Sequence, residues 1–250
     1  MLGDSYQDKH VWIIGASSGI GKALAIELAS RGAQVTASAR RAEQLKELES
    51  ARAGIQGLTL DVSDHGALEN ATEAFKQSNN LPDSIVYASA FYEPRSIDQI
   101  SAEELSTTLQ TNLWAALELC RLIAPLFYAR KSGQIALVGS VAGYCGLPNG
   151  QPYSATKAAI INFAESFYHE AKAESVDVKL ISPGFVETPM TDKNAFDMKD
   201  IISPDEAALA IADGLLSDQF EIHFPKRFTR KLKVLRLLPY KLYFKLMNRL

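Results

Sequence analysis

A tyrosine and a lysine four residues apart, Tyr153-Ser-Ala-Thr-Lys157, are the residues of this chain best suited to chemistry. On a helix such side chains share a face, one turn apart. A free phenol ionises at about pH 10 and is a poor base at neutrality. An ammonium about 4 Å away, at an effective dielectric of about 20, favours the phenolate by roughly 4 kcal/mol, or about three pKa units. The spacing therefore predicts a phenol able to exchange a proton at physiological pH. An ordinary amphipathic helix also carries Tyr and Lys at this spacing, so the pair takes its meaning from its company. Ser140 precedes the tyrosine by thirteen residues, and a glycine-rich turn, Gly15-Ala-Ser17-Ser18-Gly19-Ile20-Gly21, lies far upstream.

Those residues must be positioned by a regular scaffold, and the pattern of apolar runs supplies one. Strands are predicted over His10–Ile14, Gln34–Ala39, Ile55–Leu60, Ser84–Ala88, Gln134–Gly139 and Asp177–Ile181, with Phe220–Phe224 as a seventh. Helices are predicted over Gly19–Ser30, Ala42–Ala53 and, as one long element, Ala102–Ala129. A further helix carries Tyr153 and Lys157 and runs to about Ala173. Strands alternating with helices imply a doubly wound α/β fold of Rossmann type, a parallel sheet covered on both faces.

The glycine turn falls between the first strand and the first helix, where backbone N–H groups can approach an anion at the helix N-terminus. Its Gly-x3-Gly-x-Gly spacing is looser than the usual dinucleotide fingerprint. The second strand ends Ser38-Ala39-Arg40-Arg41 without the acid that commonly holds a ribose 2′-hydroxyl. A guanidinium suits a 2′-phosphate, which favours NADP(H) over NAD(H); alternatively Arg40 and Arg41 begin a solvated helix face. Asp61, beside Val62, either accepts a hydrogen bond from adenine or caps a helix beginning near Asp64.

With these pieces in order, the chain resembles the single-domain short-chain dehydrogenase/reductase family over residues 8 to 225. The resemblance rests on Gly15 to Gly21, Asp61-Val62, Asn112, Ser140, Tyr153 with Lys157, and Pro183-Gly184. It implies Tyr153 as general acid in reduction and base in oxidation, with Ser140 bonded to the substrate oxygen. Lys157 would bind the nicotinamide ribose and lower the tyrosine pKa, and Asn112 would hold a water of a proton relay behind it. Pro183 and Gly184 would shape the nicotinamide pocket, with Val186 and Thr188 on the carboxamide and Ala88 beside the cofactor. The chain departs from the family at Tyr87-Ala88-Ser89-Ala90, which replaces Asn-Asn-Ala-Gly, and at Ile14, which replaces a threonine. Ser89 is the candidate to restore a lost hydrogen bond.

The implied activity is hydride transfer between nicotinamide and a moderately apolar carbonyl or hydroxyl compound, lipid-derived compounds among the candidates. Phe91, Tyr92, the turn from Ala142 to Pro152 and the segment Phe185 to Ile202 are the expected walls of its pocket. In that last segment Met190, Phe196 and Met198 either face an adaptable ligand surface or pack on the body. The alternative from another class is a dinucleotide-binding sensor or scaffold that turns nothing over. No metal is expected, because His10, His65, His169 and His223 are scattered without ligand spacing. The family's habit implies a homo-oligomer, dimer or tetramer, through the long helices.

Composition bounds the rest. With 47% hydrophobic and 22% charged residues the chain reads as a soluble globular protein with one core. Two cysteines, Cys120 and Cys145, form no framework, and neither a signal peptide nor a membrane-spanning run is visible, so a cytoplasmic location is expected. Net charge is −3, yet the segment 223–250 holds nine of the 26 Lys and Arg and none of the 29 Asp and Glu. Residues 1–224 are thus expected to form the catalytic domain and 225–250 a basic amphipathic extension. Leu232, Leu235, Leu238, Leu242 and Leu246 recur at helical spacing, with Pro239 breaking or kinking the helix. Such an extension lies on a membrane surface, packs on the body or a second subunit and roofs the active site, or stays a solvated tail. Nucleic acid is disfavoured, since the acidic body would repel a phosphate backbone.

Overall fold

Successive residues of a strand face opposite sides of a sheet, and the first strand already shows two cores. In β1 (His10–Ile14), Val11 and Ile13 enter one apolar cluster and Trp12 and Ile14 another. The computed structural model describes residues 2–64, 66–198 and 200–247. His65 and the last three residues of the basic extension lie outside the described residues.

Seven parallel strands form one sheet: β1, β2 (Gln34–Ala39), β3 (Ile55–Thr59), β4 (Ser84–Tyr87), β5 (Gln134–Val138), β6 (Asp177–Pro183) and β7 (Glu221–Phe224), in the order β3-β2-β1-β4-β5-β6-β7. On one face α1 (Gly19–Ser30) packs with α7 (Pro204–Leu215), through Leu24, Leu28, Ala208 and Ile211. On the other lie α3 (Ala67–Gln77), α5 (Ala115–Arg130) and α6 (Tyr153–Ala173), through Leu68, Leu119, Ile123, Ile160 and Ala164. The helix α2 (Ala42–Ala51) flanks β3. The order reverses at β1, with β2 on one side and β4 on the other, so a crevice opens beyond the carboxyl ends of β1 and β4.

The helix predicted over Ala102–Ala129 runs without a break from Ala102 to Arg130, as α4 (Ala102–Leu109) and α5 continuous through a π-turn over Gln110–Trp114, with Asn112 inside the turn. Sequence reasoning missed α7, although Ser203-Pro204-Asp205-Glu206 is a capping box: the Ser203 hydroxyl accepts from the Glu206 N–H and the Glu206 carboxylate accepts from that of Ser203.

The extension folds as α8 (Lys226–Arg236) and α9 (Tyr240–Met247), broken at Pro239 as its residue type requires. Leu232 of α8 joins the core, Thr229 is bonded to His223, and the Tyr243 hydroxyl donates to the Gly146 carbonyl. Among the described residues, no helix is long and apolar enough to cross a membrane.

Candidate active site

The glycine turn is built by contact with its neighbours. Gly15 has a φ of +99°, and a Cβ there would sit 2.6 Å from the Ser89 nitrogen; a Cβ on Gly21 would sit 2.2 Å from the Gly15 oxygen. Only hydrogen fits at either place. The Gly15 N–H donates to the Ser38 carbonyl at 2.7 Å, holding the turn against the end of β2. Ser18, the residue capping α1, makes no side-chain cap bond, which leaves the first-turn N–H groups for an anion. Arg41 folds back over the turn and donates to the Ser17 and Ser18 hydroxyls at 2.8 and 3.0 Å. A glycine cradle at a helix N-terminus fits the pyrophosphate of a dinucleotide, and the guanidinium over its serines leaves a cation at its edge suited to a further phosphate.

Asp61 resolves one open alternative. Its carboxylate accepts from the Ser63 N–H at 3.0 Å and hydroxyl at 2.7 Å, while α3 begins only after Gly66. Asp61 is therefore not the helix cap; it closes a local turn at the rim of the crevice.

Ser140 follows β5 and heads a short turn, Val141–Gly143, its hydroxyl accepting from the Ala142 N–H at 3.1 Å. A Cβ on Gly143 would lie 2.6 Å from the Lys157 carbonyl carbon, so this turn is pressed onto α6. That contact brings Ser140 to Tyr153, the first residue of α6. The Lys157 ammonium donates to the Val138 carbonyl at 2.7 Å and lies 5.5 Å from the centre of the Tyr153 ring.

The expected acidification of the phenol does not occur in this structure. Burial pushes Tyr153 up to about 12, against the opposing pull of its hydrogen bond with Ser140. Burial likewise brings Lys157 down to about 8. Desolvation outweighs the attraction that spacing alone suggested, and the ammonium is engaged by a carbonyl rather than by the phenol.

A cavity of about 340 Å³ joins the two ends. Every predicted site residue but one lines it: Gly15, Ser17, Ser18, Gly19, Ile20, Gly21, Arg40, Arg41, Asp61, Val62, Ala88, Ser140, Tyr153, Lys157, Pro183, Gly184, Val186 and Thr188. Asn112 is the exception. It is buried behind the wall, where its side-chain oxygen accepts from the Phe91 N–H at 2.6 Å and its nitrogen donates to the Phe91 carbonyl at 2.9 Å. Tyr87, in place of the family's asparagine, donates its hydroxyl to the Thr111 carbonyl at 2.5 Å. This bond ties the end of β4 to the π-turn. Thr107 and Thr111, which sequence reasoning missed, also face the cavity; their i, i+4 spacing on a helix that buries Thr108 was the available signal.

The end of the cavity away from the glycine turn is lined by Phe91, Tyr92, Leu147, Met190 and Phe196, while Met198 contacts Asn194 instead. The Tyr92 ring meets Tyr153 edge-on at 4.9 Å. The segment after β6 closes on itself through a bridge between Val186 and Ile202. Histidines take structural partners: His10 pairs with Thr36, His223 with Thr229, and His169 packs on Tyr168. No group of three metal-ligating side chains occurs among the described residues.

Known proteins extend this picture. The chain is 29% identical to an uncharacterized oxidoreductase of Myxococcus xanthus over 235 residues, covering 92% of this chain and 93% of that one. It is 32% identical to a 3-oxoacyl-(acyl-carrier-protein) reductase of Haemophilus influenzae over 188 residues, covering 74% and 77%. A solved short-chain dehydrogenase of Streptomyces avermitilis shares the fold with a TM-score of 0.79 at 22% identity, covering 91% of this chain and 92% of that one. The sequence profile of the short chain dehydrogenases matches residues 9–199, and the chain belongs to that family of nicotinamide-dinucleotide oxidoreductases.

Proposed function

We propose that this protein is an NADP(H)-dependent oxidoreductase acting on the carbonyl or hydroxyl of a moderately apolar compound. The bound nicotinamide would supply or accept the hydride. The chain's own part is to position the substrate and move the proton. Ser140 holds the substrate oxygen, and the Tyr153 hydroxyl donates its proton there in reduction or withdraws it in oxidation. Burial raises the Tyr153 pKa, so the phenol enters the cofactor-free site protonated and able to act as the acid. Lys157 holds the nicotinamide ribose, and Asn112 serves by clamping the Phe91 backbone behind the wall. The observation that carries this reading is the common cavity of Ser140, Tyr153, Lys157 and the glycine turn.

The preference for NADP(H) is supported by Arg41 on Ser17 and Ser18 and by the lack of an acid at the end of β2. Phe91, Leu147, Met190 and Phe196 support an apolar substrate. Exposed Leu105 and Leu109 on α4 support a homo-oligomer, and free Cys120 and Cys145 support a cytoplasmic location. Residues 1–224 act as the catalytic domain, and 225–250 as an extension that contacts a partner surface.

The test is a fluorescence titration with NADPH and NADH, followed by reduction of apolar ketones and aldehydes. NADPH should bind more tightly than NADH, and Arg41→Ala should weaken NADPH by roughly tenfold or more while leaving NADH nearly unchanged. Tyr153→Phe should lower turnover by about 10²–10⁴-fold without loss of NADPH binding. Full turnover in Tyr153→Phe would sink the mechanism, and failure to bind either dinucleotide would leave a scaffold.

A further inference from the structure

The helices of the carboxyl-terminal extension have two apolar faces, and the fold uses only one. Inward, Thr229 and Leu232 are buried beside β7, and Tyr243 is buried against Gly146. Lys233 pairs with Glu221, which fixes α8 to the body. Outward, Val234, Leu237, Tyr240, Leu242, Phe244 and Leu246 are exposed, Leu237 and Tyr240 to 82% and 78%. The Tyr240 and Phe244 rings stack at 5.9 Å and present one flat aromatic surface. Lys226, Arg227, Arg230, Lys231, Arg236, Lys241 and Lys245 are exposed on the same two helices, and the extension contains no acid.

We propose that this outward face of α8 and α9 docks on the surface of an anionic phospholipid bilayer. The chemistry separates this occupant from the others. A second copy seated face to face would set like charges against each other, and protein interfaces are depleted of charge at their centre. A nucleic acid would engage the cations but leave Leu237 and Leu242 in water. A bilayer interface takes both: apolar and aromatic side chains enter the acyl boundary while Lys and Arg meet lipid phosphates. Helices of 11 and 8 residues are too short to span, so the contact is peripheral. The inward side of the same helix reaches the cavity, because Phe228 of α8 packs on Phe185 at 5.4 Å and Phe185 lines that cavity.

The test is co-sedimentation of the full chain with phosphatidylcholine vesicles, with and without phosphatidylglycerol. Binding is expected only with phosphatidylglycerol and should collapse in about 1 M salt, where the screening length is about 3 Å. Leu237→Glu with Phe244→Glu should abolish binding. Lys241→Gln and Lys245→Gln should each weaken it by roughly fivefold. These side chains are exposed, so melting temperature and NADPH affinity should match the parent and show that the variants are folded. Absence of binding to anionic vesicles overturns the proposal, as does equal binding by the double glutamate variant. A parent that dimerises and a glutamate variant that does not, with no vesicle binding by either, would assign the face to a second copy instead. None of these readouts depends on turnover, so they stand or fall apart from the oxidoreductase reading.

Discussion

Lys157 donates to the Val138 carbonyl at 2.7 Å from within the wall of the candidate active-site cavity, 5.5 Å from the centre of the Tyr153 ring. A buried ammonium with one carbonyl partner is poorly solvated, and its pKa falls to about 8. In the unfolded chain it returns to an ordinary lysine value of about 10.4. Between those limits the unfolded state binds more protons than the folded state, so stability rises with pH. The cofactor-free protein should gain roughly 1–2 kcal/mol as pH rises from about 8 toward about 10, and Lys157→Met should remove that slope. Urea melts across this window check it. A parent whose stability stays flat would show that Lys157 keeps an ordinary pKa in the folded protein.

How far the sequence could be followed depends on whether local or distant atoms decide. The ends of β1, α1 and β2 match expectation because apolar runs, Gly15 and Gly32 punctuate them locally. The pairing of Tyr153 with Lys157 was legible from their spacing on one helix, and the place of Ser140 beside them from the family resemblance. The direction of the phenol's shift was not, because desolvation is set by walls contributed from many segments. The π-turn at Asn112 was equally hidden, since that side chain turns to Phe91, 21 residues away. The capping box of α7 was in plain view and went unread.

The close approach of Gly15 and Gly21 makes a sharp prediction. A Cβ at Gly21 would meet the Gly15 carbonyl oxygen at 2.2 Å, backbone against backbone, with no rotamer to relieve it. Gly21→Ala should destabilise the fold by about 1–3 kcal/mol and abolish dinucleotide binding. Gly146 is the control, since nothing lies within 4 Å of the position its Cβ would take. Gly146→Ala should bind NADPH like the parent, and equal titrations for all three proteins would refute the cradle.

Asn112 makes a two-way clamp that only an amide can supply, accepting from the Phe91 N–H and donating to its carbonyl. Asn112→Asp places a carboxylate oxygen against that carbonyl and leaves it without a donor. The expected cost is about 2–3 kcal/mol, a fall in melting temperature of roughly 5–10 °C. Phe91 lines the cavity, so KM for an apolar ketone should rise as well. Calorimetry of the aspartate variant decides it, and an unchanged melt would remove the clamp from the account.

Tyr92 ties the substrate cavity to the segment that borders it. Its ring lies edge-on to Tyr153 at 4.9 Å, while its hydroxyl donates to the Asn194 side-chain oxygen at 2.7 Å. Lys193 reinforces the grip, donating to the Tyr92 carbonyl at 3.1 Å and pairing with Glu93. Two functions therefore meet in one side chain, and two substitutions separate them. Tyr92→Phe keeps the ring beside Tyr153 and frees Asn194. KM should rise by roughly three- to tenfold, the worth of one hydrogen bond of about 1 kcal/mol, while kcat holds. Tyr92→Ala also removes the ring that packs the phenol in place, so kcat should fall as well. If Tyr92→Phe lowers kcat as much as Tyr92→Ala does, the hydroxyl acts on the reacting centre, and the division of labour drawn here fails.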